Sequence, residues 1–309
     1  SATTSSISTK EYTLLFAPTP PIVLLCLLYH VIHNLQQKLY NYTRNFAFST
    51  HLFYTVRSVL FRKGILRMQY DFDEIIDRRG TYSIKLEAGR KLNPSLPDDY
   101  IPLWIADMDF ACPEPILAAM RARLDRRILG YTATENDLYL DTVVRWMKRR
   151  YDWQIEPDWI SFSSGIVPAL FAAVDCLTQP GDAVLMMTPA YHPFDAAVKR
   201  HGRKALYAPL LANEGYYEIN WADFEEKAQR PDCTMLFFCS PQNPTGRVWT
   251  EDELQRVGEI CFANGLFLVC DEIHADILRQ GQTHIPLAKL FPAEARLMTC
   301  TAPSKTFNI

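Results

Sequence analysis

Short apolar runs recur along the chain, each closed by small or polar residues. "AVLMMTP" (183–189), "TMLFFCSP" (234–241), "LFLVCDE" (266–272) and "RLMTCTA" (296–302) are four such runs. Nearly continuous apolar stretches of this length predict strands buried on both faces. Amphipathic segments lie between them. The clearest is "TEDELQRVGEICFANG", where Thr250 is an N-cap, Glu253 completes a capping box, acids fill the first turn and Gly265 marks the stop. Leu254, Val257, Ile260 and Cys261 fall on one stripe of that helix. Strands alternating with helices predict an α/β fold: a doubly wound, mostly parallel sheet with helices on both faces. Ligands of such sheets bind beyond the carboxyl ends of the strands.

The pattern starts only near Met68. Residues 1–67 hold seven Lys/Arg against one acid, Glu11, a balance of +6 that leaves −9 for the rest of a chain whose net charge is −3. This piece has one glycine, Gly64, against eleven beyond it. Three readings fit it. "IVLLCLLY" is too short to span a bilayer and resembles a signal h-region. The basic, Ser/Thr-bearing, acid-poor composition suits an organelle transit peptide. The preferred reading is sequence upstream of a native start at Met68, because "MQYDFDEIIDRRGTYSIK" reads as the beginning of a cytosolic enzyme. Asn41 in "NYT" is a glycosylation sequon only if the piece enters the secretory path. The chain thus divides into an N-terminal extension, 1–67, and a domain, 68–309.

Composition narrows the chemistry. An apolar share of 48% and a charged share of 22% describe a soluble protein with a sizeable core. The small negative charge gives no reason to expect nucleic acid or an anionic membrane as partner. The eight cysteines form no C-x-x-C pair and several lie inside apolar runs, so they read as small buried hydrophobes. The histidines show no zinc-site spacing.

Polar residues cluster at the predicted strand ends. Tyr191 follows the first run, Asn243 in "SPQNPTG" the second, Asp271, Glu272 and His274 the third, and Ser304 and Lys305 the fourth. Earlier, "SFSSGIVPALFAAVDCL" places Ser163, Ser164 and Gly165 at a helix start, an anion site suited to phosphate; the two serines could equally cap the helix. Taken singly, each residue has an ordinary structural role. Asp271 could cap a helix, Asn243 could serve a turn, His274 could be a core histidine, and Lys305 could lie on the surface. Taken together they suit a flat, phosphorylated heterocycle: a ring to stack on it, an amide for a ring oxygen, a carboxylate for a protonated ring nitrogen, and a lysine for a Schiff base. That set describes pyridoxal phosphate.

"NPTG", "DEIH" 28 residues after its Asn, and "SK" 34 residues after the Asp resemble the fold-type I pyridoxal-phosphate enzymes of the class I/II aminotransferase superfamily. "PLWIADMDFACPEPI", "GYT", "SSGIVPAL", "DEIHADI" and "TAPSKTFNI" are more closely similar to its MalY/PatB branch, the cystathionine β-lyases or C–S lyases. The resemblance implies that Lys305 is the Schiff-base and proton-moving lysine, Asp271 the ring-nitrogen partner, Asn243 the ring-oxygen partner and Tyr191 the stacking ring. It implies a phosphate site from Gly165, Ile166, Val167 and Ser304, completed by Tyr131 of a neighbouring subunit and hence a homodimer. Trp104 and Asp107 are expected near the substrate entrance. His274 stands where many aminotransferases carry tyrosine. Ala302 stands where aspartate-type aminotransferases carry a phosphate-binding serine, so that contact must come from elsewhere.

The implied function is cleavage of cystathionine or a related cysteine thioether to thiol, pyruvate and ammonia, in the cytoplasm. An aminotransferase on the same scaffold is the alternative, and a regulatory or inactive fragment a third. Family members continue after the lysine into a small domain that carries a basic phosphate ligand and the arginine for the substrate carboxylate. The sequence holds no such segment after Lys305, so the expectation is a lyase for the full-length parent and little or no activity for this chain.

Overall fold

The computed structural model describes residues 70–134 and 136–309. The readings of residues 1–67, including the sequon at Asn41, and the start at Met68 lie outside the described residues.

Five parallel strands form the central sheet in the order β2-β1-β5-β6-β7: β1 Ala183–Thr188, β2 Lys204–Pro209, β5 Cys233–Cys239, β6 Phe267–Asp271 and β7 Leu297–Cys300. The four apolar runs are β1, β5, β6 and β7. A hairpin of β3 Leu211–Asn213 and β4 Tyr216–Glu218 stands apart from the sheet. Neither β2 nor the hairpin follows from the hydrophobic pattern. β2 is the sheet edge beside β1 and is half exposed along most of its length, although "ALYA" within it is apolar.

The α-helices beyond residue 110 are α1 Glu114–Leu124, α2 Asp137–Tyr151, α3 Ile166–Leu177, α4 His192–Arg200, α5 Trp221–Ala228, α6 Glu251–Ala263, α7 Leu287–Leu290 and α8 Pro303–Phe307. Strand side chains alternate between two cores. Val184, Met186, Met235, Phe237 and Val269 face Leu170 and Val174 of α3 and Phe194 and Val198 of α4. Leu185, Met187, Leu236, Phe238 and Leu268 face Phe224 of α5, Leu254, Val257 and Cys261 of α6, and Leu287 of α7. The sheet is therefore covered on both sides, and each fully buried Phe or Leu contributes about 1.5–3 kcal/mol. Among the described residues five cysteines are buried in these cores, Cys112 is half-buried and Cys176 is exposed.

Local sequence sets the helix ends. The Thr250 hydroxyl accepts from the Glu253 N–H at 3.2 Å and the Glu253 carboxylate accepts from the Thr250 N–H at 2.8 Å, forming the capping box. Gly265 takes the left-handed conformation beyond the end of α6, at φ +74. The strand order makes β1 the branch point: the chain winds one way to β2 and the other way to β5. The crevice of such a sheet opens at that switch, beyond the strand carboxyl ends. Among the described residues no helix is long and apolar enough to cross a membrane.

Candidate active site

Asp271 is the last residue of β6. It lies in register with Cys239 of β5 and Cys300 of β7, on the sheet face covered by α3 and α4. It is only 3% exposed. One carboxylate oxygen accepts from the Ile273 N–H at 3.1 Å, and no cation pairs with it among the described residues. Burial raises its pKa to about 6; the Ile273 N–H opposes that rise, Glu272 adds to it and Lys305 opposes it. A buried carboxylate left in this state favours a cationic hydrogen-bond donor as ligand.

Lys305 lies in α8, immediately beyond β7. It is half-buried, and its Nζ donates to the Ala106 carbonyl at 2.7 Å. Asn308 donates from Nδ2 to the carbonyls of Met108 at 3.0 Å and Phe110 at 3.1 Å. The segment 106–110 thus lies against the lysine. Arg78 and Lys85 fasten that segment from its other side. Arg78 pairs with Asp107 at 2.6 Å, and buried Lys85 donates to the Asp107 carbonyl at 2.7 Å and to Asp109 at 2.6 Å. The Asp107 carboxylate, expected at a substrate entrance, is engaged by Arg78. The Trp104 indole N–H donates to the Lys85 carbonyl at 2.9 Å.

Tyr191 precedes α4, and its ring meets Phe194 edge-on with centroids 6.3 Å apart. Burial, and after it the Asp271 charge, raises its phenol pKa. His274 lies in the turn after β6; burial and then the Lys305 charge push its pKa down, which favours neutral imidazole. Asn243 sits in a turn closed by the Gly246 N–H on the Gln242 carbonyl at 2.7 Å, with Gly246 at φ +72. Its own N–H reaches Cys239 Sγ at 3.4 Å, while its side-chain amide has no hydrogen bond among the described residues. These electrostatic couplings link Asp271 with Tyr191 and Lys305, and Lys305 with His274.

The start of α3 departs from one expectation. Ser163 and Ser164 do not cap it. Gly165 is the N-cap, with no side-chain cap bond, and Ser163 Oγ donates to the Gly165 carbonyl at 3.0 Å. Gly165 has φ +155, where a side chain is strained. Ile166 and Val167 therefore carry backbone N–H groups that no side chain occupies, and the next residue is Pro168. Ala302 likewise offers α8 no side-chain cap, and Ser304 is half-buried one residue before the lysine. Tyr131 takes no part in the cluster; it lies between α1 and α2, fully exposed at 112%.

The donor set fits one kind of ligand. An open helix start takes an anion. An aromatic ring and an open amide take a flat ring bearing an oxygen. An unpaired buried carboxylate takes a basic ring nitrogen, and an amine takes a carbonyl. Sequence patterning missed two partners of this site, the Ala106 carbonyl and Asp276, and named Glu272 without its partners. The Ala106 carbonyl carries no residue-type signal. Glu272, 3% exposed, accepts from His284 Nε2 at 2.8 Å and from the Leu287 N–H at 2.9 Å. Asp276 bridges α2 and α8.

Similarity to known proteins agrees with this geometry. The family "Aminotransferase class I and II" matches residues 98–309. Cystathionine beta-lyase PatB of Bacillus subtilis is 42% identical over 240 residues, covering 77% of this chain and 61% of PatB. Protein MalY of Escherichia coli is 29% identical over 241 residues, covering 78% of this chain and 60% of MalY. Among solved structures, cystalysin from Treponema denticola, which contains a pyridoxal 5'-phosphate cofactor, is similar with 40% identity and TM-score 0.75 over 78% of this chain and 61% of that one. The PLP-bound C–S lyase from Staphylococcus hominis is similar with 40% identity and TM-score 0.72, over 78% and 61%. The chain spans about three fifths of the length of these relatives. A match that takes in the whole sheet and all four polar strand ends, beside a relative at 42% identity, shows that the chain belongs to the aminotransferase class I and II family.

Proposed function

We propose that the protein is a pyridoxal-phosphate-dependent C–S β-lyase that cleaves a cysteine thioether such as cystathionine to a thiol, pyruvate and ammonia. The observation that carries the reading is Asp271: a buried carboxylate with no ion pair among the described residues, electrostatically coupled to Lys305 and to Tyr191. PatB and the Staphylococcus hominis protein carry this activity in their names and support it.

Lys305 would hold the cofactor, Asp271 would keep a proton at its ring nitrogen, Asn243 would donate to its ring oxygen, and Tyr191 would cover its face. Gly165, Ile166, Val167 and Ser304 would take the phosphate. Pyridoxal phosphate, when bound, supplies a ring that accepts the electron pair left when the amino acid loses its Cα proton. Lys305 removes that proton, and its amine has the Ala106 carbonyl to hold it when it is free of the cofactor. Asp271 would stabilise the developing charge by keeping the ring nitrogen protonated. Neutral His274, beside Lys305, adds no positive charge that would repel the amine's own. The carbon–sulfur bond then breaks, the thiolate leaves, and the remaining enamine hydrolyses to pyruvate and ammonia. Full exposure of Tyr131 agrees with its serving the cofactor of a second copy in a homodimer.

Borohydride reduction after incubation with pyridoxal phosphate, followed by peptide mapping, tests the assignment. The expected result is a phosphopyridoxyl group on Lys305 alone. Label spread over many lysines, or none, overturns it. Product analysis then decides the reaction: pyruvate with thiol and ammonia is the lyase, whereas a new amino acid formed from an added oxo acid is the aminotransferase reaction.

A further inference from the structure

We infer that Asp276 is a positioning residue that fixes the Lys305 helix through Thr306. The inference rests on the reading of Lys305 as the cofactor anchor. Asp276 lies in the turn after β6, five residues beyond Asp271, and its side chain is 10% exposed. Its carboxylate receives three donors from two distant elements. The Thr306 hydroxyl donates to Oδ2 at 2.9 Å. The Tyr151 hydroxyl and the Arg150 Nε donate to Oδ1 at 2.8 Å and 2.9 Å. Burial first, and then the bond to Asp276, raises the Tyr151 phenol pKa, so the phenol stays a donor. Thr306 is the residue after Lys305. The next residue, Phe307, packs edge-on against Trp146 of α2 with ring centroids 5.6 Å apart. Two consecutive residues after the lysine are therefore braced by α2, one of them through Asp276.

This arrangement gives one residue of a basic run a further role. The basic run 148–150 ends α2, where a solvated, dipole-favouring role is the ordinary expectation. Arg150 departs from it, because its guanidinium is part of the brace. A helix of five residues such as α8 has too few internal hydrogen bonds to hold its own orientation. The direction of the Lys305 side chain must be set from outside, and Asp276 is the charged group that does so. A displacement of about 1 Å at a catalytic group is enough to cost a large factor in rate.

The test compares Thr306→Val, which keeps the shape and loses the donor, with Thr306→Ser, which keeps the donor, and with Asp276→Asn. Two readouts are taken on the whole chain. Competitive acetylation without cofactor reports the freedom of the Lys305 amine, with Lys199 as internal reference. Borohydride mapping with pyridoxal phosphate reports its aim. In Thr306→Val and Asp276→Asn, acetylation of Lys305 relative to Lys199 is expected to rise about tenfold, the order of effect of losing one hydrogen bond to a charged group. Phosphopyridoxyl yield at Lys305 is expected to fall, and Thr306→Ser is expected to behave as wild type in both. Unchanged acetylation and labelling in Thr306→Val overturn the inference alone. No label on Lys305 of the wild-type chain overturns the reading of the site itself, and the inference with it.

Discussion

Replacing Asp271 by asparagine removes a charge that the fold keeps from water with no ion pair to hold it among the described residues. In the folded chain its carboxyl releases its proton at about pH 6, against 3.8 for an ordinary aspartate. Between those values the folded chain holds a proton that the unfolded chain has already shed. Stability must therefore fall as pH rises through this window. Below about pH 4 the group is protonated in both states and the penalty is absent. Above about pH 6 the penalty is complete, about 3 kcal/mol at 1.36 kcal/mol per pH unit. Asparagine keeps the volume and the acceptor that the Ile273 N–H uses. Asp271→Asn is thus expected to stabilise the cofactor-free chain by about 3 kcal/mol at pH 8 and by close to nothing at pH 4. At about 2–4 °C per kcal/mol, the melting temperature should rise by about 6–12 °C at the higher pH. Paired thermal melts of wild type and variant at the two pH values measure this difference, in which the other carboxylates cancel. A gain of equal size at both pH values, or a loss at pH 8, refutes the reasoning. The same variant should retain pyridoxal phosphate less well, since stability gained at a site is commonly function lost there.

Three further outcomes concern the scaffold. A Cβ on Gly258 of α6 would lie 2.3 Å from Phe291 Cε2, so Gly258→Ala is expected to destabilise the chain by about 1–3 kcal/mol despite alanine's better helix propensity. Urea titration should show the loss, and adding Phe291→Leu should recover part of it. Thr250→Ala opens the capping box and should lower the urea midpoint by the equivalent of about 1 kcal/mol with no change in slope. His284→Ala leaves Glu272 buried with only the Leu287 N–H and should cost about 3 kcal/mol or more, read in the same titration; a wild-type midpoint would show that the pair contributes nothing.

Much of the scaffold was legible because its signals are local. Four of the five sheet strands are continuous apolar runs, and α6 announces both its ends through Thr250, Glu253 and Gly265. The residues at the strand ends were legible because their types and order converge on one ligand chemistry. β2 was missed although "ALYA" within it is an apolar run of four. At Ser163 and Ser164 the capping and anion-site readings separate only in the fold, where Gly165 is the N-cap and neither serine caps. Asp276 and the Ala106 carbonyl escaped for a different reason. Their partners lie 30 and 199 residues away in sequence, and nothing about an isolated aspartate or a backbone oxygen advertises such a contact.

That separation has a kinetic side. The lysine's bond to Ala106 closes a loop of 199 residues, and Asn308 to Met108 closes one of 200. Loop closure of this span and parallel strand pairing both place a contact late in folding, because their entropy is lost before the contact is gained. The sheet can assemble from pairings of shorter range, β1 with β2 and β5 with β6. The surroundings of Lys305 complete only when the segment at 106–110 closes over it. In a refolding experiment, selective acetylation of this amine would therefore report the last event of assembly, after strand formation is over.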